Sequence, residues 1–183
     1  MHRIAFCLVF STTLALSGCF PLSTSPLFGE ADRVFLPQLV GTWVEEDSEE
    51  SWTFSRRDPS SYRLELRGEE GRAAFFTARL ARIEETLLLD LFPAEPHQDS
   101  LDEVTAMHLL RLHSFAVVHQ IEPRLKMSFL QQSWIEECLQ RHPGDLPALK
   151  RGDRLILTAS TAQLQRFVIR HLRSEGAFSM PKS

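Results

Sequence analysis

Tyr62–Arg67 reads YRLELR, a hexapeptide in which apolar and charged side chains alternate without exception. In an extended strand the three apolar side chains share one face and the three charged side chains share the other. Ser51–Arg57, just before it, repeats the alternation and has Trp52 and Phe54 on one face. The intervening residues 58–60, Asp-Pro-Ser, are typical of a turn. The stretch therefore predicts an antiparallel hairpin with one buried face.

The same rhythm continues along most of the chain. Short apolar or alternating segments are separated by turn residues, which is typical of an antiparallel meander. The predicted strands cover residues 40–44, 51–57, 62–67, 73–83, 87–92, 109–121, 125–130 and 154–158. Eight antiparallel strands are enough to close a small barrel. We predict a mainly β fold, with about eight strands forming a barrel or half-barrel.

Two C-terminal helices interrupt this pattern. Ser133 with Glu136, and Ser160 with Gln163, have the spacing of capping boxes, in which a hydroxyl and a side chain three residues on cap the first turn. Residues 142–144, His-Pro-Gly, end the first predicted helix, and Gly176 is predicted to cap the second.

The N-terminus has the three parts of a secretory signal. A short basic start precedes a mostly apolar stretch, residues 4–16, and the small residues Ser17 and Gly18 follow. Thirteen residues are too few for a permanent anchor, because a helix needs about 20 apolar residues to cross a bilayer. We predict that residues 1–18 are removed as a signal peptide.

Leu16-Ser17-Gly18-Cys19 resembles the lipobox of bacterial lipoproteins at every position. The resemblance implies that Cys19 becomes the first mature residue and carries a diacylglyceryl group, with a further acyl chain such as palmitate on its amino group. Two or three chains hold a protein on a membrane stably, whereas one does not. By the same resemblance, Phe20 after the cysteine favours the outer membrane, facing the periplasm.

The first strand carries a second resemblance. Gly41-Thr42-Trp43 resembles the G-x-W signature of lipocalins, although the chain lacks their downstream Thr-Asp-Tyr signature and inserts a helix before the eighth strand. The whole layout is similar to uncharacterised bacterial lipoproteins with a lipocalin-like domain. The resemblance implies a lipocalin-like barrel or half-barrel and names no substrate.

Residues 19–35 are predicted to be a tether, and residues 36–183 a single β-rich domain. Pro21, Pro26 and Gly29 discourage regular structure in the tether. Its apolar residues predict that part of it packs on the domain or on lipid headgroups. Cys7 leaves with the signal and Cys19 is acylated, so Cys138 is the one remaining thiol and no internal disulfide is expected.

The sequence contains no motif for a metal, a cofactor or catalysis. His113 and His119 share strand parity while His108 has the opposite parity, and a zinc site needs three or four convergent ligands. Ser160 is explained as a helix cap, and no nucleophile elbow is present. A Ser-His-Asp arrangement assembled only in space stays open, since triads are recognised by geometry. We predict that the protein is not an enzyme.

The formal net charge of −4 does not favour nucleic acid as a partner. Arg166, Arg170 and Arg173 form a basic stripe on the last helix. The stripe is interpreted either as the solvent-exposed face of that helix or as a contact for anionic lipid headgroups. Cys138 lies on the apolar face of its helix, which predicts a buried, inert thiol.

These observations favour a membrane-anchored lipoprotein whose non-catalytic domain binds a small apolar ligand or a partner protein. The alternative is a structural or assembly factor of the cell envelope. An enzyme whose site is not visible in the sequence is the third reading, and a pocket with two convergent titratable groups would support it.

Overall fold

A computed structural model describes residues 20–44, 50–68, 71–94 and 110–179. The predicted signal and lipobox, including Cys19, lie outside the described residues. The mainly β prediction is confirmed. Within the described part of the chain, no helix is long and apolar enough to cross a membrane.

The structure contains strands of two to eleven residues. They are β1 (Leu22–Ser23), β2 (Arg33–Val34), β3 (Gly41–Val44), β4 (Ser51–Asp58), β5 (Ser61–Arg67), β6 (Ala73–Ile83), β7 (Thr86–Pro93), β8 (Ser114–Gln120), β9 (Lys126–Leu130), β10 (Ala148–Arg151), β11 (Arg154–Leu157) and β12 (Phe178–Ser179). The main sheet runs in the order β12-β9-β8-β7-β6-β5-β4-β3, and β2 pairs with the C-terminal part of β6. Strands β3 to β9 follow one another as the predicted meander.

The main sheet curls into an open half-barrel. The rings of Trp52 on β4 and Phe129 on β9 lie 5.9 Å apart, although four strands separate β4 from β9 in the sheet. The concave face buries Tyr62 and Leu64 of the opening hexapeptide completely, together with Phe54, Leu80 and other apolar side chains. The interior of the half-barrel is therefore filled by its own side chains.

The opposite face of the sheet carries a second apolar core. Leu88, Phe115 and Val117 point to this side, where the two helices α1 (Gln132–Arg141) and α2 (Thr161–His171) supply Ile135 and Phe167. Alternate side chains of β7 and β8 therefore pack into two different cores, because both faces of these central strands are covered.

The prediction that residues 154–158 form the eighth strand of the meander is wrong. Strand β11 lies instead in a separate three-stranded sheet, in the order β1-β11-β10. The hairpin from β10 to β11 turns at Gly152, whose φ of 58° favours glycine. Strand β10 was not predicted, since its four residues are all exposed.

The capping box of α2 is confirmed, because Ser160 and Gln163 exchange both expected hydrogen bonds. The capping box predicted for α1 is wrong. That helix begins two residues earlier, with Gln131 in place of Ser133 as N-cap and no side-chain cap, and buried Gln132 bonds to Asp153 O and Leu155 N. Helix α1 ends at Arg141 as predicted.

The predicted C-terminal cap of α2 is also wrong. Leu172 caps that helix, and Gly176 lies four residues further on, with a positive φ of 79°. Gly176 therefore shapes the segment leading to β12 and not the helix end.

The described part of the predicted tether is not a free linker. Leu22–Ser23 forms β1, and Leu27 and Phe28 are 0% and 1% exposed in the outer core. The prolines and glycine that suggested a linker lie between short extended segments. As expected from its apolar residues, the segment packs on the domain.

Candidate functional site

The folded domain begins directly after the predicted lipidation site. Phe20 packs against Phe129 with ring centroids 4.6 Å apart, and Phe129 in turn contacts Trp52. We call Phe20, Trp52 and Phe129 the aromatic rim. Phe20 remains 38% exposed. The residue next to Cys19 is thus already held against the half-barrel.

The chain after Phe20 is fastened by backbone hydrogen bonds to two different elements. Ser23 exchanges a pair of bonds with His113, at 2.9 and 2.8 Å, ahead of β8. Thr24 N donates to Leu157 O of β11 at 3.0 Å. The N-terminal segment therefore bridges the small sheet and the main sheet.

A buried carboxylate completes this attachment. Asp90 on β7 is 0% exposed, and its Oδ2 accepts a hydrogen bond from Leu27 N at 3.2 Å. Its Oδ1 lies 2.7 Å from Nδ1 of His113, which is 6% exposed. Arg79 stands directly opposite on β6; burial lowers the pKa of its guanidinium, and nearby Asp90 opposes that shift.

This Asp90–His113 pair is the arrangement that a triad would need, and the sequence did not single it out. The nearest serine by backbone pairing, Ser23, has its hydroxyl engaged locally, donating to Ser25 O at 2.8 Å and accepting from Ser25 N at 3.1 Å. Both carboxylate oxygens of Asp90 are used to hold other parts of the fold. The geometry is that of a structural clasp.

A signal for the clasp exists in the sequence. Residues 86–93 read TLLLDLFP, and Asp90 is the one charged residue of that apolar run. A carboxylate that alternation assigns to the covered face of a central strand requires a buried partner. The sequence indicates His113 only as a metal candidate, and within the described residues no group of three metal-ligating side chains exists.

A β-bulge interrupts β8 at His119. The register shifts between Val118 and Gln120, so Phe115 faces the outer core whereas Ile121 packs in the concave core. His113 and His119 still share the outer face, as their strand parity predicts. His113 bonds to Asp90, and His119 bonds to Ser128, the partner of Val117 in the outer core. His119, the extra residue, places Nε2 2.6 Å from Ser128 Oγ.

His119 and Ser128 line an open groove of about 530 Å³, whose other wall is the segment after α2. Lys126 and Arg173 also border it. Of the basic stripe, Arg166, Arg170 and Arg173 are all exposed. His108 lies outside the described residues.

Cys138 is buried in the outer core, as the sequence predicted. Burial raises the pKa of its thiol, and the neighbouring Arg141 only partly opposes this effect. A thiol kept protonated and shielded is a poor nucleophile.

Comparison with protein-family models, characterised proteins and solved structures finds no match to this chain. The candidate site is therefore defined by its own geometry: an aromatic rim, the clasped N-terminal segment, and the small sheet to which that segment adds a strand.

Proposed function

We propose that this protein is a bacterial lipoprotein, anchored by acyl chains on Cys19, whose non-catalytic domain binds a partner protein of the cell envelope. The observation that carries the proposal is the contact of Phe20 with Phe129. It supports a lipid anchor joined directly to the folded domain, without a flexible linker. The domain then lies at the membrane surface and not at a distance from it.

The filled half-barrel supports recognition on the outside of the domain. The concave face is occupied by buried side chains such as Tyr62 and Leu80. The proposal therefore favours a partner protein over a small apolar ligand held in a barrel interior.

One edge of the main sheet supports a protein partner in particular. Strand β3 is the terminal strand of the sheet among the described residues, so its outer edge offers backbone N–H and C=O groups. Val40 and Val44, with the same parity, are 42% and 64% exposed. An extended segment of another protein can add to such an edge and cover such side chains.

The reading as a binding protein, and not an enzyme, is supported by the roles of the titratable residues. Asp90 and His113 hold the fold together, and buried Cys138 is shielded. Outer-membrane location is proposed from Phe20, in keeping with the resemblance to sorted lipoproteins.

The experiment is a comparison of the natural protein with Cys19→Ala in bacterial cells. We expect the natural protein to incorporate an acyl label and to be recovered in the membrane fraction. We expect the variant to do neither. Crosslinking in intact membranes is expected to recover an envelope protein. Thr42→Pro at the β3 edge is expected to abolish this crosslink. Thr53→Pro, inside the sheet, is the comparison that shows the effect of unfolding alone. An unlabelled natural protein, or unchanged membrane attachment of the variant, would refute the anchor.

A further inference from the structure

We propose that the outer face of the three-stranded sheet is a membrane-contact surface that docks on an anionic lipid bilayer. The inference rests on the proposed anchoring through Cys19 and assigns the face of the domain that meets the membrane. The register of the small sheet, its charges and the chain length to the anchor support it.

The register aligns three apolar side chains in one row across this sheet. Leu22 of β1 pairs with Ile156 of β11, which pairs with Leu149 of β10. Paired residues share a face, and the flanking Leu155 and Leu157 are buried in the outer core. The row therefore points away from the domain, and its outermost member, Leu149, is 56% exposed.

Two arginines lie beside the row on the same face. Arg151 and Arg154 are directly opposite each other across β10 and β11, two residues from Leu149 and Ile156. Like charges at directly opposed positions destabilise a sheet. Among the described residues neither forms an ion pair, and the acidic side chain of the intervening turn, Asp153, is exposed.

An anionic surface relieves the repulsion between these arginines. Phosphate groups accept hydrogen bonds from guanidinium groups, and basic residues next to a bilayer are attracted by its negative surface potential. An apolar row flanked by cations is the composition of an interfacial surface, with the apolar side chains at the acyl boundary and the arginines at the headgroups.

The chain length to the anchor selects a membrane as the occupant. Leu22 is three residues after Cys19, and three residues span at most about 11 Å. Acyl chains on Cys19 therefore hold Leu22, the first member of the row, within about 11 Å of the bilayer surface. A protein partner on this face would have to compete with the membrane for it.

The test uses the acylated full protein reconstituted in vesicles of phosphatidylethanolamine and phosphatidylglycerol. Leu149→Cys is labelled with a polarity-sensitive fluorophore, and Ser55→Cys on the exposed face of β4 is the matched control site. Relative to the protein in detergent, we expect the emission of the fluorophore at position 149 to shift to the blue and to be protected from an aqueous quencher. We expect neither change at position 55. Vesicles of phosphatidylcholine alone are expected to give a weaker shift.

Charge-reversal variants separate local contact from net charge. Arg151→Glu with Arg154→Glu reverses the charge at both opposed positions, and we expect loss of most of the blue shift. Arg166→Glu with Arg170→Glu on α2 makes the same change in net charge and should leave the shift intact. The opposite pattern would assign the contact to α2 and overturn the inference.

Three further outcomes are distinguishable. If the protein floats with the vesicles while the label at position 149 stays quenchable, the anchor stands and the membrane-contact surface is refuted. If the label is protected only in native membranes and crosslinks there to a protein, the occupant is a protein and the inference is wrong. If the protein does not float with vesicles, the anchor and the inference fail together.

Discussion

The carboxylate of Asp90 joins three parts of the chain that are distant in sequence. It accepts from Leu27 N, contacts His113 Nδ1, and stands on a central strand of the sheet. A buried carboxylate is costly unless it is hydrogen-bonded, and its partners become costly when it is removed. A single substitution at Asp90 is therefore expected to destabilise the fold strongly.

We predict that Asp90→Ala lowers the free energy of unfolding by about 3 kcal/mol, because it leaves the Leu27 N–H and the His113 ring buried without an acceptor. Denaturant titration of the purified protein measures this change. The control is Asp145→Ala, which removes an exposed carboxylate and is expected to cost less than about 0.5 kcal/mol. Equal effects of the two substitutions would show that Asp90 is not a clasp.

His171 makes the outer core sensitive to pH. Burial against Trp134 and Phe167 lowers the pKa of its imidazole, Arg170 lowers it further, and Asp145 partly opposes them. The unfolded chain then binds more protons than the folded chain just below the ordinary histidine pKa of about 6.5. Stability contributed by this residue is therefore present above that pH and is lost as the pH falls through 6.5.

The corresponding prediction compares His171→Gln with the natural protein between pH 7.5 and 5. We expect the denaturation midpoint of the natural protein to fall more steeply over this range, because glutamine does not titrate. His142→Gln, at an exposed position, is the control and should leave the slope unchanged. An identical pH slope for natural protein and His171→Gln would contradict the argument.

The two helices begin with similar sequences and are capped differently. In α2 the Ser160 hydroxyl accepts from Gln163 N, and the Gln163 side chain accepts from Ser160 N. In α1 Ser133 is already inside the helix, because Gln132 turns its amide into the fold toward β11. A buried tertiary contact thus displaces a local capping signal.

We predict that Ser160→Ala lowers the free energy of unfolding by about 1 kcal/mol, the usual loss for an N-cap. Ser133→Ala is the matched substitution and is expected to change it by less than about 0.5 kcal/mol. Thermal unfolding of the two variants under one buffer makes the comparison. A larger loss for Ser133→Ala would mean that the sequence-based capping box is correct after all.

The strands with strict alternation could be predicted from the sequence, because burial of one face imposes the period of two. Ala73–Ile83 is predicted with its observed bounds, and YRLELR buries the face expected. What could not be predicted depends on distant partners. The apolar Leu27 and Phe28 indicate docking but not that β1 pairs with β11. The bulge at His119, which places Ile121 in the core opposite that of Phe115, has no signal in the local pattern.

At the scale of the whole molecule, the N-terminal segment decides how the domain meets its surroundings. Phe20 joins the aromatic rim, β1 completes the small sheet, and the clasp fixes Leu27. These attachments leave almost no free chain between Cys19 and the fold. If Cys19 is acylated, the orientation of the domain on the membrane follows from the fold itself.

The most direct test is mass spectrometry of the protein extracted from bacterial membranes, with sequencing of its N-terminal peptide. The account predicts a chain that lacks residues 1–18, begins at Cys19, and carries diacylglyceryl and acyl groups on that residue. A mature chain that begins elsewhere, or that begins at Cys19 with an unmodified thiol and amino group, would contradict the lipid anchor.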